Sequence, residues 1–374
     1  MSETIRTLRL EEFDSFMRFL ERSYGYRRDW NDRHAPHLLR PEPEFLDRWL
    51  VVESEGRVVS AVGAYPLALI AGPARVMTGG IGDVGTLPGE RGKGYMSRLL
   101  EATIDRMRER GWPLSALWGD RQRYGSFGWE TCGLAWILTL NRRSLERNGI
   151  RPAEVEEADA RDPEVVARVR ELHATLPFRV ERPFLHLQLP AGNARIFLGS
   201  DGYLISTTEY SGNPNVVEVA SPTGREAELI LGAMDWTCGG AAEVWLGPDE
   251  GERAERLARV MNHWRAVTQG MFRIIDWPGV LEALRPLLEQ RAAGLAGFRT
   301  CLGCRWREEV QWATIEWDGA AISLEAKRQP DGVEVELPLL TAMLLGGPHA
   351  APMQLGPLGR LLPVPLHIPP LDHV

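Results

Sequence analysis

The chain has 374 residues, 44% hydrophobic and 25% charged, with a formal net charge of -8. That length allows two or three domains with full cores, and the composition is that of a globular protein, not a disordered or fibrous one. The acidic balance argues against broad nucleic-acid binding.

Apolar spacing predicts a helix over 10–24, with Phe13, Phe16, Met17 and Leu20 on one face. A polar, aromatic segment follows at 26–43. Strands are expected over 49–53 and 57–70 around the turn at Glu55-Gly56, then over 75–86. A helix over 95–110 turns Met96, Leu99, Leu100, Ile104 and Met107 inward and stops at Gly111, with Pro113 beyond. A strand at 114–118, a short helical piece at 121–127 and a strand at 131–140 complete this region. A charged stretch, 146–162, reads as a linker. A helix follows, then strands at 194–197, 203–208 and 216–220, a helix at 225–233, a strand at 243–246 and a helix at 253–264. The last region reads as strands at 271–277, 308–316 and 321–326, a helix at 338–345 opening on Pro338, and an irregular Pro-rich end from 348. The expectation is an α/β (α+β) chain of three domains, 1–148, 149–270 and 271–374.

The residues before Glu3 and just after it lack a basic-then-apolar leader, and no apolar run reaches membrane-spanning length. A cytoplasmic protein with no membrane partner is expected. Four cysteines in so long a chain make no disulfide scaffold, and the lone Cys301/Cys304 pair reads as structural. His34 and His37 have no Cys or Glu partner at ligand spacing, so no metal is expected.

The most informative stretch is Val84-Gly85-Thr86-Leu87-Pro88-Gly89-Glu90-Arg91-Gly92-Lys93-Gly94-Tyr95-Met96-Ser97. It reads as a strand, a Gly- and Arg-rich turn, and the start of a helix. Such a turn aims several backbone N–H groups at one spot, at the positive end of the helix dipole, and so makes a pyrophosphate site. It is not an ATP or GTP loop. Leu87 stands where the first Gly would be, and Gly94 replaces the magnesium-binding hydroxyl. Gly80-Ile81-Gly82-Asp83-Val84-Gly85 matches a dinucleotide fingerprint by letters, but those glycines fall before or inside a strand rather than at a strand-to-helix turn.

Arg91, two residues and Gly94, with Pro88 before and a leucine-rich helix after, resembles the acetyl-CoA loop of the GNAT superfamily of N-acetyltransferases. Met96 stands where that pattern usually has Gly or Ala, which suits the Eis-like branch. Tyr124-Gly125-Ser126-Phe127-Gly128-Trp129 resembles the Eis-like run that follows that branch's general acid. The resemblance extends over the chain. It implies a catalytic GNAT domain, a second GNAT-like domain without a cofactor loop, and a sterol-carrier-like C-terminal domain.

The resemblance also implies transfer of acetyl from acetyl-CoA to a primary amine: an aminoglycoside-like polyamine, a small amine or a protein lysine. Backbone groups of Val84, Gly85 and Thr86 would hold the pantetheine. The amides of Gly92, Lys93, Gly94, Tyr95, Met96 and Ser97 would cradle the pyrophosphate, with Arg91 and Lys93 adding charge. Tyr124 is implied as general acid and the carboxylate of the last residue, Val374, as base. The family usually ends on an aromatic residue. Asp83 and Asp120 are fallback bases, although a strand-end or helix-cap role suits both. The mixed aromatic and acidic residues Tyr26, Asp29 and Trp30, with Asp32 and His34, are candidates for binding a cationic substrate. A homo-oligomer, commonly a hexamer in this branch, is implied. The alternative is a non-catalytic acyl-CoA sensor or apolar-ligand-binding protein.

Overall fold

The computed structural model describes residues 3–374 apart from 26–34, 192–193, 208–214, 238–239, 248–249, 348–349 and 365. The chain packs as two compact units. One comprises 1–133, 270–364 and 373–374; the other comprises 134–269 and 365–372.

In the first unit the elements follow the periodicity of the sequence. They are β1 (Glu3–Thr7), α1 (Phe13–Tyr24), β2 (Trp49–Ser54), β3 (Arg57–Ala71), β4 (Ala74–Thr86), α2 (Tyr95–Glu109), β5 (Leu114–Leu117) and α3 (Arg121–Tyr124). β1 to β4 pair antiparallel in order. The β2–β3 turn puts both Glu55 and Gly56 at positive φ, as tight hairpins require. β4 then runs parallel to β5, but only from Thr78↔Leu114 to Ile81↔Leu117. On the other side of β5 lies the antiparallel stretch Met271 to Ile274.

Both faces of this sheet are covered. Leu99, Leu100, Ile104 and Met107 of α2 pack on Val59, Val62, Leu117 and Trp129. Phe16, Phe19 and Leu20 of α1 pack on Trp49, Val51 and Tyr65, with Phe16 edge-on to Trp49 at 4.7 Å between ring centroids. Each such side chain contributes about 1.5–3 kcal/mol on burial.

The rest of this unit departs from expectation in two places. The strand expected at 271–277 starts earlier, as His263–Ile274, and Trp277 opens a helix, Trp277–Ala292. Pro278 and the backbone N–H of Trp277, which donates to Gln311 at 2.7 Å, mark that helix start. A four-stranded sheet orders Ile322–Glu325, Glu309–Trp317, Phe298–Trp306 and Val333–Glu336. Two of its strands, Phe298–Trp306 and Val333–Glu336, lack a clear sequence signal.

In the second unit, the part of Glu130–Asn141 beyond Gly133 pairs with Ala241–Leu246. The sheet continues through Asn215–Ala220, Gly202–Thr207, Arg195–Gly199 and Val155–Ala158. The stretch 146–162 is therefore not all linker, since Val155–Ala158 is an edge strand. The helix expected at 253–264 ends at Ala258, because His263 and Trp264 belong to the following strand. At the centre of this unit Arg182 makes two-pronged ion pairs with Glu218, at 2.8 and 2.7 Å, and with Asp372, at 2.8 and 2.7 Å. All three are buried. Gln188 donates to the Leu371 carbonyl and to Asp372, each at 2.9 Å.

Candidate active site

Where β4 loses β5 at Ile81, the edge of 82–86 that faced β5 has no strand partner among the described residues. β3 still supports the other edge, to Ser60↔Thr86. The strand edge along Val84, Gly85 and Thr86 suits an extended chain carrying amides, with the Gly85 carbonyl itself accepting from the Ser60 hydroxyl at 2.9 Å. Ser23, whose Oγ is buried with no partner among the described residues, lies against Gly85, its Oγ 3.4 Å from the position a Cβ there would take.

After Thr86 the chain passes through a single turn at Pro88–Glu90 and enters α2 with Gly94 as N-cap. Gly92 and Gly94 have φ of 81° and 76°, and nothing lies within 4 Å of a Cβ at either. The backbone conformation, not crowding, requires glycine there. No side chain caps α2, and among the described residues no backbone acceptor takes the amides of 92–97. Free amides at the start of a helix are an arrangement that suits an anion.

The cationic side chains there are engaged elsewhere. Lys93 Nζ sits 2.7 Å from Glu90, which also pairs with Arg57 at 2.9 Å. That hydrogen bond to Glu90 raises the Lys93 pKa. Arg91 reaches the Thr86 and Ser23 carbonyls at 3.4 Å each. Tyr95 is buried, with its hydroxyl donated to Glu3 at 2.6 Å. Met96 and Ser97 are half-buried.

Tyr124 closes α3, which is capped by Asp120 accepting the Gln122 amide at 2.9 Å. Asp120 is therefore a cap. The Tyr124 ring lies on Gly119, where a Cβ would come within 2.4 Å of Cε2. It packs in the same apolar cluster as Tyr95 and Leu99, with Val84 and Met96 against that cluster. Burial pushes its pKa up, opposed in part by Arg123. The phenol therefore remains protonated at neutral pH and can donate.

The last residue lies on β4. Val374 Cγ2 comes 2.6 Å from the position of a Cβ on Gly80, and its carboxyl carbon 2.7 Å from that on Gly82. These glycines leave one face of β4 bare where Val374 crosses it. His373 stacks on Trp118, just past β5, at 3.9 Å and 26°. The end of the chain thus sits beside the point where β4 and β5 part. Gly80 and Gly82 serve that contact, a role the sequence reading did not assign them. Tyr26, Asp29 and Trp30, with Asp32 and His34, lie outside the described residues. Cys301 and Cys304 are buried and form no disulfide, and burial pushes the Cys304 thiol up to about 12. Among the described residues no group of three or more His, Cys, Asp or Glu is placed to hold a metal ion, and no helix is long and apolar enough to cross a membrane.

The strand that parts from its parallel neighbour, the turn with free amides and the helix after it follow one another in a single stretch of the chain. Residues 4–132 match the model of the acetyltransferase (GNAT) domain. The protein is an acetyl-CoA-dependent acyltransferase. Among solved structures, the chain is similar to a GCN5-related N-acetyltransferase from Kribbella flavida. The identity is 22% and the TM-score 0.73, covering 100% of this chain and 98% of that one. It is similar to another from Anabaena variabilis, at 16% identity and TM-score 0.73, covering 100% of both chains. It is also similar to Eis1 from Mycobacterium abscessus, at 16% identity and TM-score 0.66, covering 92% of this chain and 90% of that one. No curated protein matches the sequence.

Proposed function

We propose that the protein moves acetyl from acetyl-CoA to a primary amine, with Tyr124 as general acid and the Val374 carboxylate as base. The observation that carries this reading is the Val374 carboxyl carbon over Gly82, beside the free edge of β4. The pantetheine amides pair with the edge of 84–86, and the pyrophosphate takes the amides of 92–97. Lys93 and Arg91 join it by leaving Glu90 and the two carbonyls.

The amine arrives as an ammonium. Neutralising it at pH 7 costs about 4–5 kcal/mol, from its pKa near 10.4. One proton passes to the carboxylate and on to solvent. The freed lone pair attacks the thioester carbon and the C–S bond breaks. The thiolate takes the Tyr124 proton, and the phenolate regains one from the nitrogen. Two protons leave the ammonium: one ends on the thiol and one in solvent.

Polyamines of the aminoglycoside kind, small amines and protein lysines are the acceptor classes this reading admits. We further propose that 271–374 plays the part of a sterol-carrier-like domain and that the chain works as a homo-oligomer. Thiol release from acetyl-CoA across an amine panel tests the reading. Full-length protein should turn over at least one class. Tyr124→Phe and removal of Val374 should each lower kcat while acetyl-CoA still binds. Unchanged rates in both variants would overturn the assignments.

A further inference from the structure

Asp83 is out of place for a strand residue. It has φ of 49° within β4, a left-handed conformation that costs a non-glycine residue about 1–2 kcal/mol. The register between β3 and β4 shifts at this point, between Ala61 and Gly63. The result turns the Asp83 carboxyl to the face of β4 that Tyr65 occupies, where the Tyr65 hydroxyl donates to Oδ2 at 2.7 Å. A strained residue held in this way is a reason to look for function.

Tyr65 is itself fully buried, and Gly63 makes room for it, since a Cβ there would meet its hydroxyl at 2.7 Å. The same ring borders the seat of the chain end. A Cβ on Gly82 would lie 3.0 Å from Tyr65 Cε2 and 2.7 Å from the Val374 carboxyl carbon. Asp83, Tyr65 and the Val374 carboxyl therefore gather on one face of β4, at the end of its pairing with β5. No cation among the described residues pairs with Asp83. Burial raises its pKa, and the Tyr65 hydrogen bond opposes that rise.

We infer that the Asp83 carboxylate receives the ammonium of the acceptor amine beside the Val374 carboxylate. This rests on the acyl-transfer reading above and deepens it. The two carboxylates do different work. Asp83, oriented by Tyr65, holds the cation and stays ionised. Its negative charge raises the proton affinity of the Val374 carboxylate, so that the weak terminal base can take the proton. The N–H bond breaks with its electron pair left on nitrogen, and the proton goes to Val374. The acceptor this site takes is a cationic primary amine, not an alcohol or a neutral amide. The titratable or charged groups acting on Tyr65, which lies against both carboxylates, are Asp83, Arg48 ahead of β2 and Tyr24 at the end of α1, and His373, next to Val374, stacks on Trp118.

The test is Asp83→Asn in the full chain, assayed by thiol release with a primary amine that the wild type accepts, from pH 6 to 9. Asn tolerates the left-handed conformation, so the variant keeps the backbone. The expected result is a fall in kcat/KM for the amine of about 10²-fold, because the acceptor loses the group that positions it. KM for acetyl-CoA should hold, and the acid limb of the profile should move to lower pH, because the neighbouring negative charge is gone. Tyr65→Phe gives the opposite displacement. Losing the hydroxyl donor raises the Asp83 pKa, so the acid limb moves up. A purely structural role would lower stability in both variants and leave the acid limb in place. Asp83→Asn within two-fold of wild type at every pH, or both limbs unmoved, overturns the inference. Removing Val374 separates the two readings. Loss of activity there with a normal Asp83→Asn sinks only Asp83, while a normal truncation with an impaired Asp83→Asn sinks only the terminal base.

Discussion

Adding one methyl group to Gly82 tests the placement of the chain end. The new Cβ would stand 2.7 Å from the Val374 carboxyl carbon, 3.2 Å from its oxygen and 3.0 Å from Tyr65 Cε2. Carbon contacts settle at about 3.5–4.0 Å, so the carboxyl must retreat by roughly 1 Å. The last residue of a chain retreats at little cost, while the Tyr65 ring must also give slightly. Overpacking of this kind costs about 1–3 kcal/mol in stability. A 1 Å error at a reacting group costs about 10²-fold in rate. Gly82→Ala should therefore lower kcat about 100-fold in the thiol-release assay, with Tm down by only a few degrees and acetyl-CoA affinity unchanged. Gly80→Ala, which meets the Val374 side chain at 2.6 Å, should act in the same sense but less. Gly89→Ala is the control, because nothing lies within 4 Å of a Cβ there. Full activity in Gly82→Ala would refute a catalytic role for the end of the chain.

Tyr124→Phe should cut kcat by about 10²–10⁴-fold, the range for a positioned acid, while calorimetry reads an unchanged Kd for acetyl-CoA. Because burial raises the Tyr124 pKa, the loss of rate through its ionisation should begin only above the ordinary tyrosine range near 10. A pH–rate profile falling earlier would point to another acid. Gly94→Ala should lose about 1–2 kcal/mol of stability, from its φ of 76°, and weaken acetyl-CoA binding by distorting the amides, read by melting and calorimetry together. Arg182→Met strands Glu218 and Asp372, and should cost about 3–5 kcal/mol in denaturant unfolding. Arg182 holds Glu218 well below the ordinary carboxylate value of 4.5. Its share of stability is complete above that value and is lost as pH falls through the lower folded one. The Arg182→Met protein should therefore lose less stability than wild type between neutral and strongly acid pH.

The first unit was legible because its signals are local. The apolar faces of 10–24 and 95–110 recur at helical spacing, and the turn from Pro88 to Gly94 carries its own conformational marks. Tyr124 was singled out through the glycines and aromatics beside it, not through any property of a tyrosine. What stayed hidden depends on tertiary pairing. His263 and Trp264 read as the end of a helix but become strand because partners wait for them. Trp277 reads as the end of a strand but starts a helix, as Pro278 could have signalled. The contact of Lys93 with Glu90 also left no mark in the sequence. The glycines at 80 and 82 were weighed only as a nucleotide fingerprint, since what crosses them comes from nearly 300 residues further along the chain. Asp83 passed for a strand-end carboxylate because a bulge leaves no mark in the sequence.

The bare face of β4 has a practical corollary. Purification handles are commonly appended after the last residue, and here such a handle would replace a free acid with an amide and lay extra chain across Gly80 and Gly82. If the Val374 carboxylate is the base proposed above, a preparation made in that way should take up acetyl-CoA yet turn over no amine, and a handle ahead of Met1 should spare the activity.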